Sequence, residues 1–200
     1  MISGVILAAG SSSRLGRPKQ LLELDGRPIL EHVLEAAEAS GTLGELVLVL
    51  GHAADEIEAL VRLPGNARIV RNAEFELGQS TSLRVGLWAC DPASEAAVIL
   101  LGDQPRISPA AIRAVADGFA RTGHTIVRAR YRDGPGHPVL VAREEWESVL
   151  DIRGDTGARD LITARPEWVH EVGIDADRPW DVDTWADYER LVGERRPEPG

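Results

Sequence analysis

Lys19 is the only lysine in a chain of 200 residues; every other basic side chain is arginine or histidine. It closes the stretch Ala8, Ala9, Gly10, Ser11, Ser12, Ser13, Arg14, Leu15, Gly16, Arg17, Pro18, Lys19. Small residues let backbone amides approach an anion, Gly10 and Gly16 permit positive φ, and Arg14, Arg17 and Lys19 supply cations. No acidic residue precedes Glu23, so this loop is positive within a chain of formal charge −10. A lysine in a composition that otherwise uses arginine points to a need for a compact ammonium, which a forked guanidinium does not replace. The chemistry that such a loop serves is phosphate binding. A carboxylate is delivered to a matching position: the apolar run Ala97 to Leu101 stops at Gly102-Asp-Gln-Pro105, which sets Asp103 at a strand end. Two commoner phosphate signatures are missing, since no G-x-x-x-x-G-K-[ST] occurs and no G-x-G-x-x-G follows a strand.

The elements that must position these residues alternate in type. Ile2 to Ala8, Leu46 to Leu50, Arg68 to Val70, Ala97 to Leu101, Thr125 to Ala129, Val139 to Val141 and Trp168 to Val172 read as strands. Between them, Ile29, Val33, Leu34, Ala37, then Ile57, Leu60, Val61, then Ile112, Val115, Phe119 recur at helical spacing. That alternation predicts an α/β fold with a mostly parallel central sheet flanked by helices, and ligands at the C-terminal ends of its strands. After residue 125 the pattern changes, and Arg128 to Pro138 reads as a small antiparallel excursion. A last helix is expected from Thr184, with Asp187 three residues on as the capping-box acid. One domain over residues 1–192 is expected, followed by a disordered tail at 193–200 rich in Gly, Glu, Arg and Pro.

Composition sets the boundaries of function. The single Cys90 closes no intramolecular disulfide and builds no thiolate zinc cage, and its place after Leu87-Trp88-Ala89 predicts a buried thiol. The first apolar run, Val5 to Ala9, is too short for a signal-peptide core or a membrane span, so a cytoplasmic protein with no membrane partner is expected. An excess of ten acidic charges argues against a nucleic-acid surface.

Leu7-Ala-Ala-Gly-Ser-Ser-Ser-Arg-Leu-Gly-Arg-Pro-Lys19 resembles the L-A-A-G-x-S-x-R-x-G-x-x-K signature of nucleotidyltransferases that activate phosphorylated small molecules with a nucleoside triphosphate. Gly78-Gln-Ser-Thr-Ser-Leu83, Gly102-Asp-Gln-Pro105, Gly136-His-Pro-Val139, Gly154-Asp-Thr-Gly-Ala-Arg159 and Asp181-Val-Asp-Thr184 extend the resemblance to the MobA-like family, and most closely to its molybdenum cofactor cytidylyltransferases. The resemblance implies a Rossmann-like fold. It also implies transfer of CMP from CTP to the terminal phosphate of the molybdopterin cofactor, with release of pyrophosphate. It assigns Leu7, Ala8, Ala9, Gly10, Arg14 and Lys19 to the triphosphate, Gly78 and Ser82 to the base and ribose, and Asp103 and Asp183 to Mg2+. Lys19, Arg14 and Asp103 become the catalytic set, and His137, Asp155 and Arg159 face the pterin. Ala9, where guanylyl-transferring relatives tend to carry glycine, favours CTP over GTP. A molybdoenzyme or its maturation factor would receive the product. His52 and Trp185 depart from the family pattern, where a smaller residue and proline are expected.

Phosphate attack on an α-phosphorus brings two anions together and needs no strong base, so the task is charge neutralisation and in-line alignment. Two alternatives stay open: transfer to another phosphorylated acceptor or from GTP, and a non-catalytic carrier of the cofactor. Asp103 and Asp183 also read as turn residues, and His137 as a structural residue of its Gly/Pro turn. Asp181-x-Asp183 matches the weak D-x-D pattern of metal-dependent glycosyltransferases. Trp146, Trp168, Trp180 and Trp185 are explained most simply by core packing and helix docking.

Overall fold

A computed structural model describes residues 1–150, 162–163 and 165–193. Asp155, Arg159 and residues 194–200 of the expected tail lie outside the described residues; Gly193, the first residue of that tail, is the last residue of the final helix instead. Strands β1 (Ile2–Leu7), β4 (Glu45–Leu50), β5 (Ala67–Arg71), β6 (Ala96–Leu101), β7 (Ile126–Tyr131), β8 (Gly134–Ala142) and β9 (Val169–Gly173) form one sheet in the order β5-β4-β1-β6-β8-β7-β9. Only β8 runs against its neighbours. The expected α/β architecture, with its antiparallel excursion, is what the chain adopts.

Strand residues alternate between two layers, as the period of two requires. Ile6, Leu46, Leu48, Leu50, Val98 and Leu100 pack with helices α1 (Ile29–Ala39), α2 (Ala54–Leu60) and α4 (Pro109–Thr122). Val5, Leu7, Val47, Val49, Ala97 and Ile99 face the other way, onto α3 (Gln79–Ala89) and α5 (Trp146–Leu150). The near-continuous apolar strands follow from burial on both faces. Helix α4 shows how local sequence sets the ends: the Ser108 hydroxyl accepts from Ala110 N at 3.1 Å, Pro109 opens the helix, and Gly123 closes it in the left-handed region at φ 66°.

The hairpin differs in one respect from expectation. Gly134 to Pro138, read as a turn, is the first half of β8, and the turn falls at Arg132 and Asp133. Two prolines are tolerated there because β6 pairs only with Val139 to Ala142, leaving the first half of β8 without a partner on that side. Where β6 and β8 part, the sheet opens. A two-stranded ribbon, β2 (Glu23–Leu24) with β3 (Arg27–Pro28), turns through Asp25 and Gly26, both at positive φ.

Cys90 is buried in the α3 layer, its thiol donating to Gly86 O at 3.3 Å, and burial pushes its pKa up to about 11. A thiol reagent at pH 8 should therefore leave the folded chain unlabelled and label the denatured chain fully. Labelling of the folded protein at the rate of a free thiol would contradict this burial.

Candidate active site

Three strand ends build the site. From β1 the chain enters the Ala8–Lys19 loop, from β6 it enters Gly102 and Asp103, and the segment after β9 returns through Asp181 and Asp183 to α6 (Trp185–Gly193). Gly102 is a glycine because a Cβ there would stand 2.8 Å from the Ala8 Cβ; its absence lets β6 press against the loop. The Ser12 hydroxyl accepts the Lys19 amide at 3.0 Å and folds the loop back on itself. Positive φ falls at Ser12 (52°) and Gly16 (68°), and not at Gly10, so the conformational freedom expected of Gly10 is unused. Gln20 is buried below the loop and its Nε2 donates to Ala8 O at 2.8 Å.

A small third core explains how a residue near position 180 reaches a loop near position 15. Leu15, Leu22, Leu24, Ile29, Val182 and Leu191 bury one another, and Val182 N donates to Asp103 O at 3.1 Å. Fixed by Val182, Asp183 faces Lys19. The Lys19 Nζ donates to Asp103 Oδ2 at 2.5 Å and to Asp183 Oδ1 at 2.7 Å, so one ammonium joins both carboxylates. Burial pulls the Lys19 pKa down, but the charge and hydrogen bond of Asp103, with those of Asp183, outweigh it and hold the group above the usual lysine value.

Thr184 and Asp187 form the expected capping box: Asp187 Oδ2 accepts from Thr184 N at 2.8 Å, and Thr184 Oγ1 accepts from Asp187 N at 3.2 Å. Thr184→Val should destabilise the protein by about 1 kcal/mol, a melting-point fall of about 2–4 °C for a chain of this size. An unchanged melting temperature would show that the cap does not anchor α6.

Two clefts meet at this edge and share Gln79 and Leu101. The first, of about 450 Å³, is lined by Leu7, Ala8, Ala9, Gly10, Lys19, Gly78, Ser82 and Asp103, and by Gln20 and Phe75. All but two of the residues assigned from sequence to nucleotide and metal thus gather in one place. Asp183 joins them through Lys19. Arg14 does not: it is exposed on the loop and outside the cleft lining.

The second cleft, of about 650 Å³, opens where β6 and β8 separate and includes Arg128, His137, Arg178, Trp180 and Asp181. His137, assigned by the resemblance to the pterin, lines this cleft, and its carbonyl accepts from Tyr131 Oη at 2.7 Å. Asp181 receives Gln104 Nε2 at 2.7 Å; burial, then the neighbouring charges of Asp103 and Asp183, raise its pKa. Core packing accounts for Trp146, but Trp180 borders this cleft with the Arg190 guanidinium over its ring, and Trp185 is exposed. Gln20, Asn72 and Phe75 belong to none of the sequence motifs, because none carries an unusual spacing; Gln104 lies within Gly102-Asp-Gln-Pro105 but carries no assigned role.

Among the described residues no three His, Cys, Asp or Glu side chains form a metal cluster. Two carboxylates nonetheless converge on a single cation position, and Asp103 Oδ1 is buried without a hydrogen-bond partner. An all-oxygen pair with room for phosphate oxygens and water suits a hard divalent ion such as magnesium, and does not suit a protein-only cage.

Known proteins share this fold. The family model for the MobA-like NTP transferase domain matches residues 4–170. The chain is 35% identical over 161 residues to the bifunctional protein GlmU of Sorangium cellulosum (strain So ce56), covering 76% of this chain and 34% of that protein. It thus spans about a third of the length of the curated relatives it matches. The crystal structure of Rv0371c from Mycobacterium tuberculosis H37Rv superposes with a TM-score of 0.86 at 38% identity, covering 96% of this chain and 97% of that one. The manganese complex of Rv0371c gives 0.82 at 36% identity over 96% and 97%. A nucleotidyl transferase from Methanothermobacter thermautotroptrophicus (Mth528) gives 0.78 at 28% identity over 96% and 95%. Fold and likeness together define the class as nucleotidyltransferase. Within it, the chain belongs to the MobA-like NTP transferase domain family. No helix among the described residues is long and apolar enough to cross a membrane.

Proposed function

We propose that the chain is a magnesium-dependent cytidylyltransferase that moves CMP from CTP to the terminal phosphate of the molybdopterin cofactor and releases pyrophosphate. The observation that carries this reading is the convergence of Asp103 and Asp183 on Lys19 at the rim of the first cleft. In this reading the 8–19 loop binds the triphosphate, Gly78 and Ser82 face the nucleoside, and the second cleft receives the acceptor. Lys19 turns from the carboxylates toward phosphate oxygens and offsets the charge that gathers on the leaving pyrophosphate. The acceptor phosphate is already ionised, so no side chain need remove a proton from it. Asp103 and Asp183 would hold the magnesium ion, which when bound neutralises triphosphate charge. The reducing, cytoplasmic setting expected from sequence is consistent with a chain whose one cysteine is buried and unpaired.

The purified protein, CTP, magnesium and molybdopterin carrying its metal should release pyrophosphate in proportion to acceptor. No release with any nucleoside triphosphate would remove the enzymatic reading and leave a carrier that binds without turnover.

A second reading, another phosphorylated acceptor, is favoured by one observation. The Arg178, Trp180 and Asp181 wall of the second cleft lies beyond residues 4–170, the part matched to the family. A panel of acceptors and nucleotides separates the two readings.

A further inference from the structure

We infer that Phe75 is the surface on which the base of the bound nucleotide stacks, and that Asn72 and Gly51 are the residues that put it there. The inference rests on the nucleotide reading of the first cleft. Phe75 is the only aromatic side chain lining that cleft among the described residues; it is partly buried, and its carbonyl accepts from Gly78 N at 3.2 Å. Lys19 and Asp103 line the same cleft. A ligand that carries both phosphates and a flat ring matches a lining that offers both an ammonium and an aromatic face.

The position of the ring is built. At the end of β4, a Cβ on Gly51 would stand 2.6 Å from Phe75 Cβ and 2.9 Å from the Ala9 Cβ. Any side chain at 51 would push Phe75 away from the loop that binds phosphate. On the other side Asn72 is almost fully buried, and its amide makes three bonds that lock the turn carrying Phe75. Nδ2 donates to Thr81 Oγ1 at 2.8 Å and to Ser82 Oγ at 2.9 Å, while Oδ1 accepts from Glu74 N at 2.9 Å. Thr81 Oγ1 in turn donates to Glu74 O and Gly78 O, tying both sides of the turn. His52, the residue that departed from the family pattern, sets its imidazole against Phe75 at 6.1 Å between ring centroids and 67° between planes. The larger residue at 52 therefore has a partner in this chain: it buttresses the aromatic wall.

Stacking reads the flat face of a base and not its phosphates. Phe75→Ala should weaken CTP binding about tenfold. It should leave the binding of inorganic tripolyphosphate, which has no base, within about twofold of wild type. Phe75→Leu keeps the apolar bulk on Gly51 without the aromatic face and should weaken CTP in the same selective way.

The test is titration calorimetry of CTP and of tripolyphosphate, each with magnesium, into wild type and both variants. Selective loss of CTP affinity supports the inference. CTP affinity unchanged in both variants, or equal loss for both ligands, overturns it while leaving the nucleotide reading intact. A wild type that binds tripolyphosphate but not CTP, or neither, overturns the nucleotide reading and this inference together.

Discussion

Lys19→Ala is expected to lower nucleotidyl transfer by at least about a hundredfold, the scale of one lost electrostatic stabiliser in a site that gathers negative charge. The expectation follows from what surrounds the ammonium. Lys19 is the one lysine of the chain, it is largely buried, and it lies between two carboxylates at the edge of the first cleft. Without it, Asp103 and Asp183 face each other with no ammonium between them, and in the proposed reading the triphosphate loses a fixed positive charge. Lys19→Arg should restore little, because a planar fork does not fit the space of a compact ammonium.

The sign of the pH effect is fixed by the raised pKa. The stability that the Lys19 contacts provide is fully present below the ordinary value of 10.5 and is lost only as pH rises through the elevated value of the folded chain. Between pH 7 and 9 the resistance of the ligand-free chain to urea should therefore show no loss that disappears in Lys19→Ala. Pyrophosphate release at saturating CTP measures the loss of turnover. A variant with more than a tenth of wild-type turnover would remove Lys19 from the catalytic set.

Asp103→Asn is expected to cost at least about a hundredfold as well, by a different route. The substitution keeps the shape of the side chain and removes its charge. The Asp103 backbone is held by the Gly102 contact with the loop and by the bond from Val182 N, so its position should survive. In the proposed reading the affinity for the divalent ion falls, so the loss should ease partly as magnesium is raised. Asp183→Asn should behave similarly but less severely, because this carboxylate is about half exposed and water can replace some of its role. The double change Lys19→Ala with Asp103→Asn should cost much less than the product of the two, since in the proposed reading both routes end in the same uncompensated triphosphate charge. Strict multiplication of the two effects would show that they work independently.

Much of this site is legible in the sequence because it lies where the chain changes type. The Val5 to Ala9 run breaks into glycine and serine, and Ala97 to Leu101 breaks into Gly102 and Asp103; both breaks are strand ends on the same sheet edge. The strands of the main sheet were readable from their apolar runs, with ends displaced by one or two residues except at β8, which starts at Gly134, five residues before the expected Val139. Their order was not, because pairing of β1 with both β4 and β6 depends on contacts far apart in sequence.

The Gly134 to Pro138 stretch shows a different limit. Its residues are those of a turn, yet they form a strand because one side of β8 is free of a partner there. Asn72 and Phe75 were illegible for a similar reason. Nothing in their spacing is unusual, and their roles arise from Gly51, Thr81 and Ser82 closing around them. Arg14 illustrates the reverse, a motif residue that the fold leaves exposed on the loop.

The most direct test is a crystal of the protein grown with CTP and manganese, with the metal located by its anomalous scattering. The expected result is a manganese peak bridging the Asp103 and Asp183 carboxylates, with the triphosphate along residues 8–19 and Lys19 turned onto it. A peak elsewhere, or a triphosphate bound away from that loop, would contradict the assignment of the first cleft as the nucleotide site.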